Sequence, residues 1–358
     1  MRTEELVKLA RRRSLDLVLV VGQANIRALT GVNCDNAIVA VERLRSCDAG
    51  KFGVSLYTDF RYVPMVHRVA PKLKVVDIRR FGKRTGKRTP VRFNRIGYES
   101  SISHSRFLDW QKKFPKAKFV DISKGLSAIR SVKTPEEIAG LRAAEKLNCD
   151  IWESVRGTFK AGMTEKRMAR IVQKMMIERG DGEAFGTIVC VGKNAAECHH
   201  EPDDTVWNGR EPVLVDMGVR LNGFCSDLTR NIVPRRPGRT YRQVYDLVLR
   251  ANRAAIAAVK PGITGRRLDK VARDVIRKGG FGKCFGHSLG HGVGYEIHEA
   301  PYASKRDDTV LRPGMLVTIE PGIYLEGNLG VRIEDLVLVT EKGCEVLSAS
   351  SRPDGSFA

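Results

Sequence analysis

Short apolar runs alternate with amphipathic segments over the first third of the chain. Runs rich in Val, Ile and Leu are typical of strands, and apolar residues at three- and four-residue spacing are typical of helices. We predict strands at 14–21, 37–41, 53–57, 74–78, 95–98 and 119–121. We predict helices at 1–12, 25–29, 58–67 and 103–114. Because strands and helices alternate, the sequence predicts an α/β domain of about 120 residues.

A clear helix start follows this first region. Thr134 is the predicted N-cap, Pro135 takes the first helical position, and Glu137 completes a capping box. We interpret the segment 122–136, which contains this start, as a hinge. The predicted domains are residues 1–126 and 127–358.

The second domain contains an internal repeat. The segment 160–168, KAGMTEKRM, matches 260–268, KPGITGRRL. In both segments a glycine ends one helix and a threonine, Thr164 or Thr264, caps the next. Each copy then leads to strands that bear acids. A duplicated unit of helices and an antiparallel hairpin, folded about a pseudo-twofold axis, would bring two acid-bearing hairpins face to face.

Four carboxylates and one histidine follow apolar strand-like runs or glycine-bounded turns in this domain. They are Asp216, Asp227, His291, Glu320 and Glu334. An ionised carboxylate in such a place is desolvated unless a positive partner stands beside it. No Lys or Arg occurs in 213–217 or 316–319. Four carboxylates balance two divalent cations, and one imidazole completes a mixed ligand set. The sequence therefore predicts a carboxylate-bridged two-metal site.

The composition is that of a globular protein without membrane spans. The chain has 358 residues, of which 42% are hydrophobic and 29% charged. No apolar run approaches the roughly 20 residues that cross a bilayer, and the N-terminus has no signal-peptide pattern. The cysteines are scattered without a CxxC pair, so we expect reduced thiols and a cytoplasmic location. Thiolate ligation by Cys198 or Cys225 stays open as a minor alternative.

The net charge of +21 is high. Basic residues concentrate in 79–95 and 235–239, which is compatible with a polyanion-binding patch. We favour solvated surface loops, because no zinc-finger, helix-turn-helix or RNA-recognition signature accompanies the charge. We therefore expect neither a nucleic acid nor a membrane as a partner.

The motifs around the five predicted ligands are VDMG, CSDLTR, GHGVG, TIEPGIY and VRIEDLVLVT. They resemble those of the pita-bread metallopeptidases, specifically the proline peptidases (Xaa-Pro dipeptidase, or prolidase, and Xaa-Pro aminopeptidase). Segments 25–31 and 58–62 are similar to the creatinase-type N-terminal domain of that family. The resemblance covers nearly the whole chain. It implies an α+β fold with a small α/β N-terminal domain and a duplicated C-terminal catalytic domain.

The resemblance also implies a role for each site residue. Asp216 would chelate one metal, His291 and Glu320 the other, and Asp227 and Glu334 would bridge both. Manganese is the favoured metal, with cobalt or zinc as alternatives. Glu320 would shuttle the proton, His199 and His298 would contact the substrate and serve catalysis, and Arg332 would hold nearby carboxylates and help to bind the substrate. Cys198 stands where the family has proline, and Asp203-Asp204 replaces Thr-Asp, which affects expectations about substrate preference.

The resemblance implies hydrolysis of the Xaa-Pro bond at the N-terminus of short peptides, most favourably dipeptides, by hydroxide that bridges two metal ions. It also implies a homodimer. The alternatives are an Xaa-Pro aminopeptidase that acts on longer peptides, a metal-free creatinase-type amidinohydrolase and a non-catalytic peptidase-like binding module. The last two would be expected to have lost ligands, and all five are present in this chain.

Overall fold

The computed structural model describes residues 2–44, 51–82 and 93–351. The chain divides into two compact units, Met1–Arg130 and Ser131–Ala358. Cys47 and the centre of the basic segment 79–95 lie outside the described residues, and so does the polyanion-binding interpretation of that segment. Within the described ranges, no helix is both long enough and apolar enough to cross a membrane.

The N-terminal unit is built from one mixed sheet and the helices that cover it. Its helices are α1 (Thr3–Arg12), α2 (Gln23–Thr30), α3 (Val63–Val69), α4 (His104–Lys113) and α5 (Ser123–Ser131). Its strands are β1 (Leu17–Val20), β2 (Ala37–Arg43), β3 (Phe52–Thr58), β4 (Lys74–Asp77), β5 (Arg95–Tyr98) and β6 (Lys118–Asp121). The strand order is β4-β3-β2-β1-β5-β6. Strands β1, β2 and β3 pair antiparallel, and the remaining pairs are parallel.

Strand β1 lies at the centre of this sheet and is buried on both faces. Val18 and Val20 belong to the apolar cluster that includes Leu6 of α1, whereas Leu17 and Leu19 belong to the cluster on the opposite face. Successive strand residues point to opposite faces, so an uninterrupted apolar run is the expected sequence for such a strand. The prediction of an α/β unit here is confirmed.

One local prediction in this unit was wrong, and one helix was not predicted. The helix predicted at 58–67 begins only at Val63, because Asp59 instead accepts hydrogen bonds from Arg61 and Asn36 and forms a turn. The segment interpreted as a hinge contains the boundary between the two units, and it also contains helix α5, which no predicted element covered. This helix was not predicted because it contains Gly125, and glycine is a poor helix former. A Cβ at Gly125 would lie 2.7 Å from Leu9, so the glycine allows close packing against α1.

The C-terminal unit contains two successive sets of helices and antiparallel strands. The first set comprises α6 (Pro135–Val155), α7 (Glu165–Arg179), β7 (Ile188–Val191), β8 (Val213–Met217), β9 (Arg220–Leu221), β10 (Phe224–Cys225) and β11 (Leu228–Ile232). The second comprises α8 (Arg239–Ala258), α9 (Gly265–Lys278), β12 (Gly290–Gly292), β13 (Glu299–Ala303), β14 (Leu316–Ile319), β15 (Gly322–Leu325), β16 (Leu329–Arg332), β17 (Asp335–Val339) and β18 (Cys344–Val346).

The predicted caps are confirmed. Thr134 and Glu137 form the reciprocal capping box of α6. The side chains of Thr164 and Thr264 cap α7 and α9 in the same way, each accepting a hydrogen bond from the backbone N–H three residues later. The repeat identified in the sequence is therefore a repeat of local structure.

Each half of this unit packs its own apolar core. Helices α6 and α7 cover the sheet β11-β8-β7 around one cluster, and α8 and α9 cover the sheet β14-β17-β18 around another. The short pairs β9–β10, β12–β13 and β15–β16 are antiparallel ribbons. A mixed sheet in one unit and segregated helices and antiparallel strands in the other confirm the predicted α+β class.

Candidate active site

A cavity of about 450 Å³ lies in the C-terminal unit. Every residue to which the sequence assigned a role lines it. These residues are Asp216, Asp227, His199, His291, His298, Glu320, Arg332 and Glu334. They come from both halves of the repeat, and tertiary folding gathers them around one space.

The four acids lie at comparable points of the two hairpins. Asp216 is the fourth residue of β8, directly opposite Thr229 of β11, and Asp227 immediately precedes β11. In the other half, Glu320 immediately follows β14, and Glu334 immediately precedes β17. Antiparallel pairing therefore holds one pair of carboxylates in each half, as the repeat predicted.

His291 stands between acids from the two halves. Its Nε2 is 3.5 Å from Asp227 Oδ2 and 3.3 Å from Glu320 Oε1. Ligand atoms of Asp227, His291 and Glu334 all lie within 4.8 Å of one another. Among the described side chains, Asp216 Oδ1 is buried without a hydrogen-bond partner. Such spacing of potential ligand atoms suits a divalent cation.

The protonation state of His291 strengthens this fit. Burial, and next the neighbouring His298, lower the pKa of His291 to about 4, so the imidazole is neutral at pH 7. Its Nδ1 lies 3.1 Å from the carbonyl oxygen of Gly292, which can only accept, so Nδ1 carries the hydrogen. The lone pair of Nε2 then faces two carboxylates. That arrangement is repulsive unless a proton on one of these carboxyl groups or a cation between them supplies positive charge.

The buried acids of the cavity also repel one another when they are ionised. Burial, followed by the charges of its acidic neighbours, holds the pKa of Asp227 well above its usual range, and Glu334 behaves alike. Burial and the nearby Asp216 raise the pKa of Glu320 to about 8. Bound divalent ions would relieve both the desolvation and the repulsion. The side chains present therefore fit divalent metal ions.

Arg332 lies beside one of the acids. Its Nη2 donates to Asp216 Oδ2 at 2.6 Å, and its Nε donates to Thr229 Oγ1 at 3.0 Å. Thr229 Oγ1 in turn donates to Glu334 Oε2 at 2.7 Å. The sequence had found no basic residue near Asp216 along the chain, and the structure supplies one from the other half of the repeat. The guanidinium of Arg332 thus compensates part of the negative charge of the cavity, at Asp216.

Sequence reasoning missed two residues of this cavity, Tyr324 and His287. Tyr324 Oη accepts from Arg332 Nη1 at 2.9 Å and lies 2.9 Å from His287 Nε2. Burial, and then Arg332, lower the pKa of His287 to about 4. Its Nδ1 donates to the carbonyl oxygen of Ser288 at 2.8 Å, so Nε2 accepts from the phenol. The signal was their position, inside TIEPGIY and four residues before His291.

The two further predicted histidines, His199 and His298, both line the cavity. The His298 ring lies edge-on to that of His291, with 4.3 Å between ring centroids. Burial, and then His199, lower the pKa of His298, which makes it a neutral imidazole at pH 7. Of the two cysteines named as alternative ligands, Cys198 lines the cavity, whereas Cys225 is absent from its lining and donates through Sγ to the carbonyl oxygen of Tyr295.

Comparison with known proteins agrees with this geometry. Residues 139–341 match the model of metallopeptidase family M24, and residues 2–132 match that of the creatinase/prolidase N-terminal domain. The Xaa-Pro dipeptidase of Pyrococcus furiosus is 34% identical over 358 residues, which cover 98% of each chain.

Solved structures give the same result. The Xaa-Pro dipeptidase from Bacillus anthracis superposes with a TM-score of 0.88 at 29% identity, covering 98% of this chain and 97% of that one. The X-Pro aminopeptidase from Thermotoga maritima superposes with a TM-score of 0.84 at 31% identity, covering 97% of each chain. The chain belongs to metallopeptidase family M24, and it pairs the pita-bread catalytic domain of that family with a creatinase-type N-terminal domain.

Proposed function

We propose that this protein uses two divalent metal ions to hydrolyse the Xaa-Pro bond at the N-terminus of short peptides, with dipeptides preferred. The observation that carries the proposal is the orientation of His291, whose Nε2 lone pair faces Asp227 and Glu320 across a gap that a cation would fill. The relatives from Pyrococcus furiosus and Bacillus anthracis are named Xaa-Pro dipeptidases, which supports the substrate class.

Five side chains would hold the two ions. Asp227 and Glu334 would bridge them, Asp216 would complete one site, and His291 and Glu320 would complete the other. Four carboxylates and a neutral imidazole balance the charge of two divalent cations and suit manganese, cobalt or zinc, of which we favour manganese. When bound, such ions polarise the scissile carbonyl and make water nucleophilic at neutral pH.

Glu320 is proposed to move the proton. It would accept a proton from the attacking water and return it to the leaving amine. Burial, and then Asp216, raise the pKa of this carboxyl to about 8 in the metal-free cavity, and bound cations would lower this pKa and leave a carboxylate that can accept the proton. Thr318 Oγ1 donates to Glu320 Oε1 at 3.1 Å and accepts from the backbone N–H of His291 at 3.0 Å. Strand β14 therefore holds the proton carrier and the histidine in fixed relation.

His298 is proposed to donate its ring N–H to the oxyanion that develops on the substrate carbonyl. As a neutral imidazole it has one such donor. His199 would contact the substrate from the opposite side of the repeat. Arg332 would act on the substrate mainly through Asp216 and Tyr324, because its guanidinium already donates to both.

One observation favours a second candidate, an aminopeptidase that acts on longer Xaa-Pro peptides. Arg332 is the only Lys or Arg among the described residues that line the cavity, and its Nε, Nη1 and Nη2 already donate to Thr229, Tyr324 and Asp216. A dipeptide carries its carboxylate on the proline, close to the scissile bond, where this charge would need a partner. The relative from Thermotoga maritima is named an X-Pro aminopeptidase.

Turnover of a small peptide panel tests the proposal. Metal-depleted protein would be reloaded with Mn²⁺, Co²⁺ or Zn²⁺ and assayed on Ala-Pro, Ala-Pro-Ala-Ala and the control Ala-Ala. Metal-dependent cleavage of the Xaa-Pro bond alone is the expected result, and faster cleavage of Ala-Pro identifies a dipeptidase. Faster cleavage of the tetrapeptide would establish the second candidate. Equal activity after complete metal removal would contradict the proposed mechanism.

The remaining expectations stay predictions. They are the preference for manganese, the homodimer and the cytoplasmic location. Sedimentation of the purified protein would measure its oligomeric state. The metal-free amidinohydrolase and the non-catalytic module are not favoured, because the cavity retains all five predicted ligands and the named relatives are peptidases.

A further inference from the structure

Two of the three cavity histidines that are not predicted metal ligands, His199 and His298, occupy repeat-related places. His199 begins the tetrapeptide His-His-Glu-Pro, and His298 begins His-Glu-Ala-Pro, at nearly the same offset as the repeated caps. The residue after each histidine makes a buried ion pair instead of lining the cavity. His200 pairs with Glu165 of α7, and Glu299 pairs with Lys133. The histidine therefore recurs in both halves, whereas the histidine–glutamate ion pair beside it does not, because the position of Glu165 is occupied by Gly265 in the second half.

Glu165 holds the segment that carries His199 and His200 through four hydrogen bonds. Its side chain is fully buried. Its Oε1 accepts from the backbone N–H of Val191 at 2.6 Å and from Asn194 Nδ2 at 2.9 Å. Its Oε2 lies 2.7 Å from His200 Nε2 and accepts from the backbone N–H of Asp203 at 3.0 Å. One carboxylate therefore fastens the loop between β7 and β8 before and after the cavity histidine.

His200 is well placed to carry a positive charge toward Glu165. Its side chain is only 10% exposed, and its Nδ1 lies 3.3 Å from Glu197 Oε2. The charged groups that face it are Glu165 from α7 and Glu197 and Asp203 from its own loop. Burial, the largest single influence, lowers the pKa of His200, but Glu165, Glu197 and Asp203 together outweigh it, so this pKa is raised. The two side chains are joined by a hydrogen bond of 2.7 Å between His200 Nε2 and Glu165 Oε2, and the surrounding acids favour the protonated imidazole.

The opposite side of the same loop is held by strand β16. Arg332 Nη1 donates to the carbonyl oxygen of Cys198 at 3.4 Å. A Cβ on Gly330 would lie 1.7 Å from the carbonyl oxygen of Ala195, so only glycine lets the two backbones approach this closely. The loop is thus clamped between α7 and β16. His199 lies between the two clamps and lines the cavity.

We propose that the buried His200–Glu165 pair is a positioning device for His199. The pair fixes the direction of the backbone at His200, and His199 is thereby held toward the substrate. This inference rests on the proposed function, since it assumes that His199 contacts the substrate. It requires that loss of the pair acts through His199 and leaves the metal site intact.

A double-mutant cycle tests the dependence on His199. His200→Ala should lower kcat/KM about tenfold or more, mainly through KM, because small displacements of a positioning group are costly. In a His199→Ala background the same change should alter kcat/KM by less than about twofold, since no positioned group remains. His200→Gln, which can still donate to Glu165, should restore most of the activity. Bound metal per chain should be unchanged in all variants.

Lys166→Ala is the matched control. Lys166 adjoins Glu165, but its ion pair with Asp204 is exposed, so kcat/KM should not change. Equal loss of kcat/KM from His200→Ala with and without His199 would overturn the proposal. Loss of bound metal in His200→Ala would also overturn it. If His200→Gln lowers kcat/KM as much as His200→Ala does, the proposal is also wrong, because donation to Glu165 would then have no effect on activity.

A spectroscopic readout keeps this inference separate from the proposed function. In full-length chain labelled with ¹⁵N-histidine and loaded with Zn²⁺, the ring signals of His199 should shift in His200→Ala and stay near wild type in His200→Gln. Unchanged His199 signals in both variants would refute the positioning role. If wild-type protein fails to cleave any Xaa-Pro peptide, the proposed function fails, and the histidine spectra still decide whether His200 positions His199.

Discussion

The guanidinium of Arg332 donates to Asp216 at 2.6 Å, and through Thr229 it is also linked to Glu334. These hydrogen bonds cross from one half of the repeat to the other. They fix the orientation of Asp216 whether or not a cation is bound, so the site is partly preorganised by the protein. The charge of the cavity is consequently shared between the protein's own cation and the metal ions that we propose.

Replacement of Arg332 should therefore be costly mainly when metal is absent. Arg332→Met leaves Asp216 buried without a charged partner, and we expect the free energy of unfolding of the metal-free protein to fall by about 3 kcal/mol. Saturating Mn²⁺ should reduce this loss, because the cation replaces the lost charge. Urea denaturation measures both values. Arg142→Met, which breaks the exposed pair with Glu345, should cost no more than about 1 kcal/mol. A loss at Arg332 that metal does not reduce would contradict the prediction.

Metal should stabilise the protein more at pH 8 than at pH 6.5. The pKa of Glu320 rises from about 4.5 to about 8 on folding, and those of Asp227 and Glu334 rise as well. Between the two values the folded chain holds protons that the unfolded chain has released, so the stability of the metal-free protein falls as the pH rises toward 8. His287 and His291, with pKa values lowered to about 4, add the opposite slope only below about pH 6.5.

Thermal unfolding with EDTA and with Mn²⁺ tests this prediction. The gap between the two midpoints should widen from pH 6.5 to pH 8, and calorimetry at pH 7 should detect protons released when metal binds. A gap that narrows over this range would show that the carboxyls are already ionised in the metal-free protein.

Glu145 should give a second, independent pH dependence. This side chain is fully buried, its Oε2 accepts from the backbone N–H of Asp227 at 3.1 Å, and burial raises its pKa to about 8. The raised pKa means that the stability it contributes is lost as the pH rises from about 4.5 to 8. Glu145→Gln removes the proton, so in metal-loaded protein its stability relative to wild type should increase by about 1 kcal/mol or more from pH 5 to pH 8. Glu153→Gln, on the exposed face of α6, should change nothing.

Asp227→Asn should abolish both metal uptake and turnover, because this carboxylate would bridge both ions. The same change should stabilise the metal-free protein at pH 8, since it removes a buried acid that its neighbours repel. Metal analysis and urea denaturation separate the two effects. Asp204→Asn, at an 80% exposed side chain, is the control and should retain metal and activity. An Asp227→Asn protein that binds a full complement of metal would exclude the bridging role.

The features that the sequence determined by itself are local ones. The caps at Thr134, Thr164 and Thr264 were readable because a cap is decided within four residues. The paired acids could be predicted because each follows a short apolar pattern typical of a strand. The internal repeat indicated that two such hairpins belong to one site. The family followed from these motifs, and so did the α+β class.

Other features depended on contacts between distant segments. Helix α5 was not predicted because it contains Gly125, and this glycine is explained only by the close approach of Leu9 in the folded chain. The buried partner of His200 is Glu165, which in sequence is merely the first residue of a capped helix. No short-range rule pairs residues so far apart along the chain, because burial and charge compensation are set only when the elements pack.

The sequence by itself determined which side chains could hold cations and that two copies of one folding unit would supply them. Only the tertiary structure decided that Asp216 forms an ion pair with Arg332 and that Tyr324 and His287 complete the cavity wall. The physical reason is one of range. Capping and strand alternation act between neighbours in the chain, whereas the pairing of a buried charge depends on whichever group the fold places beside it.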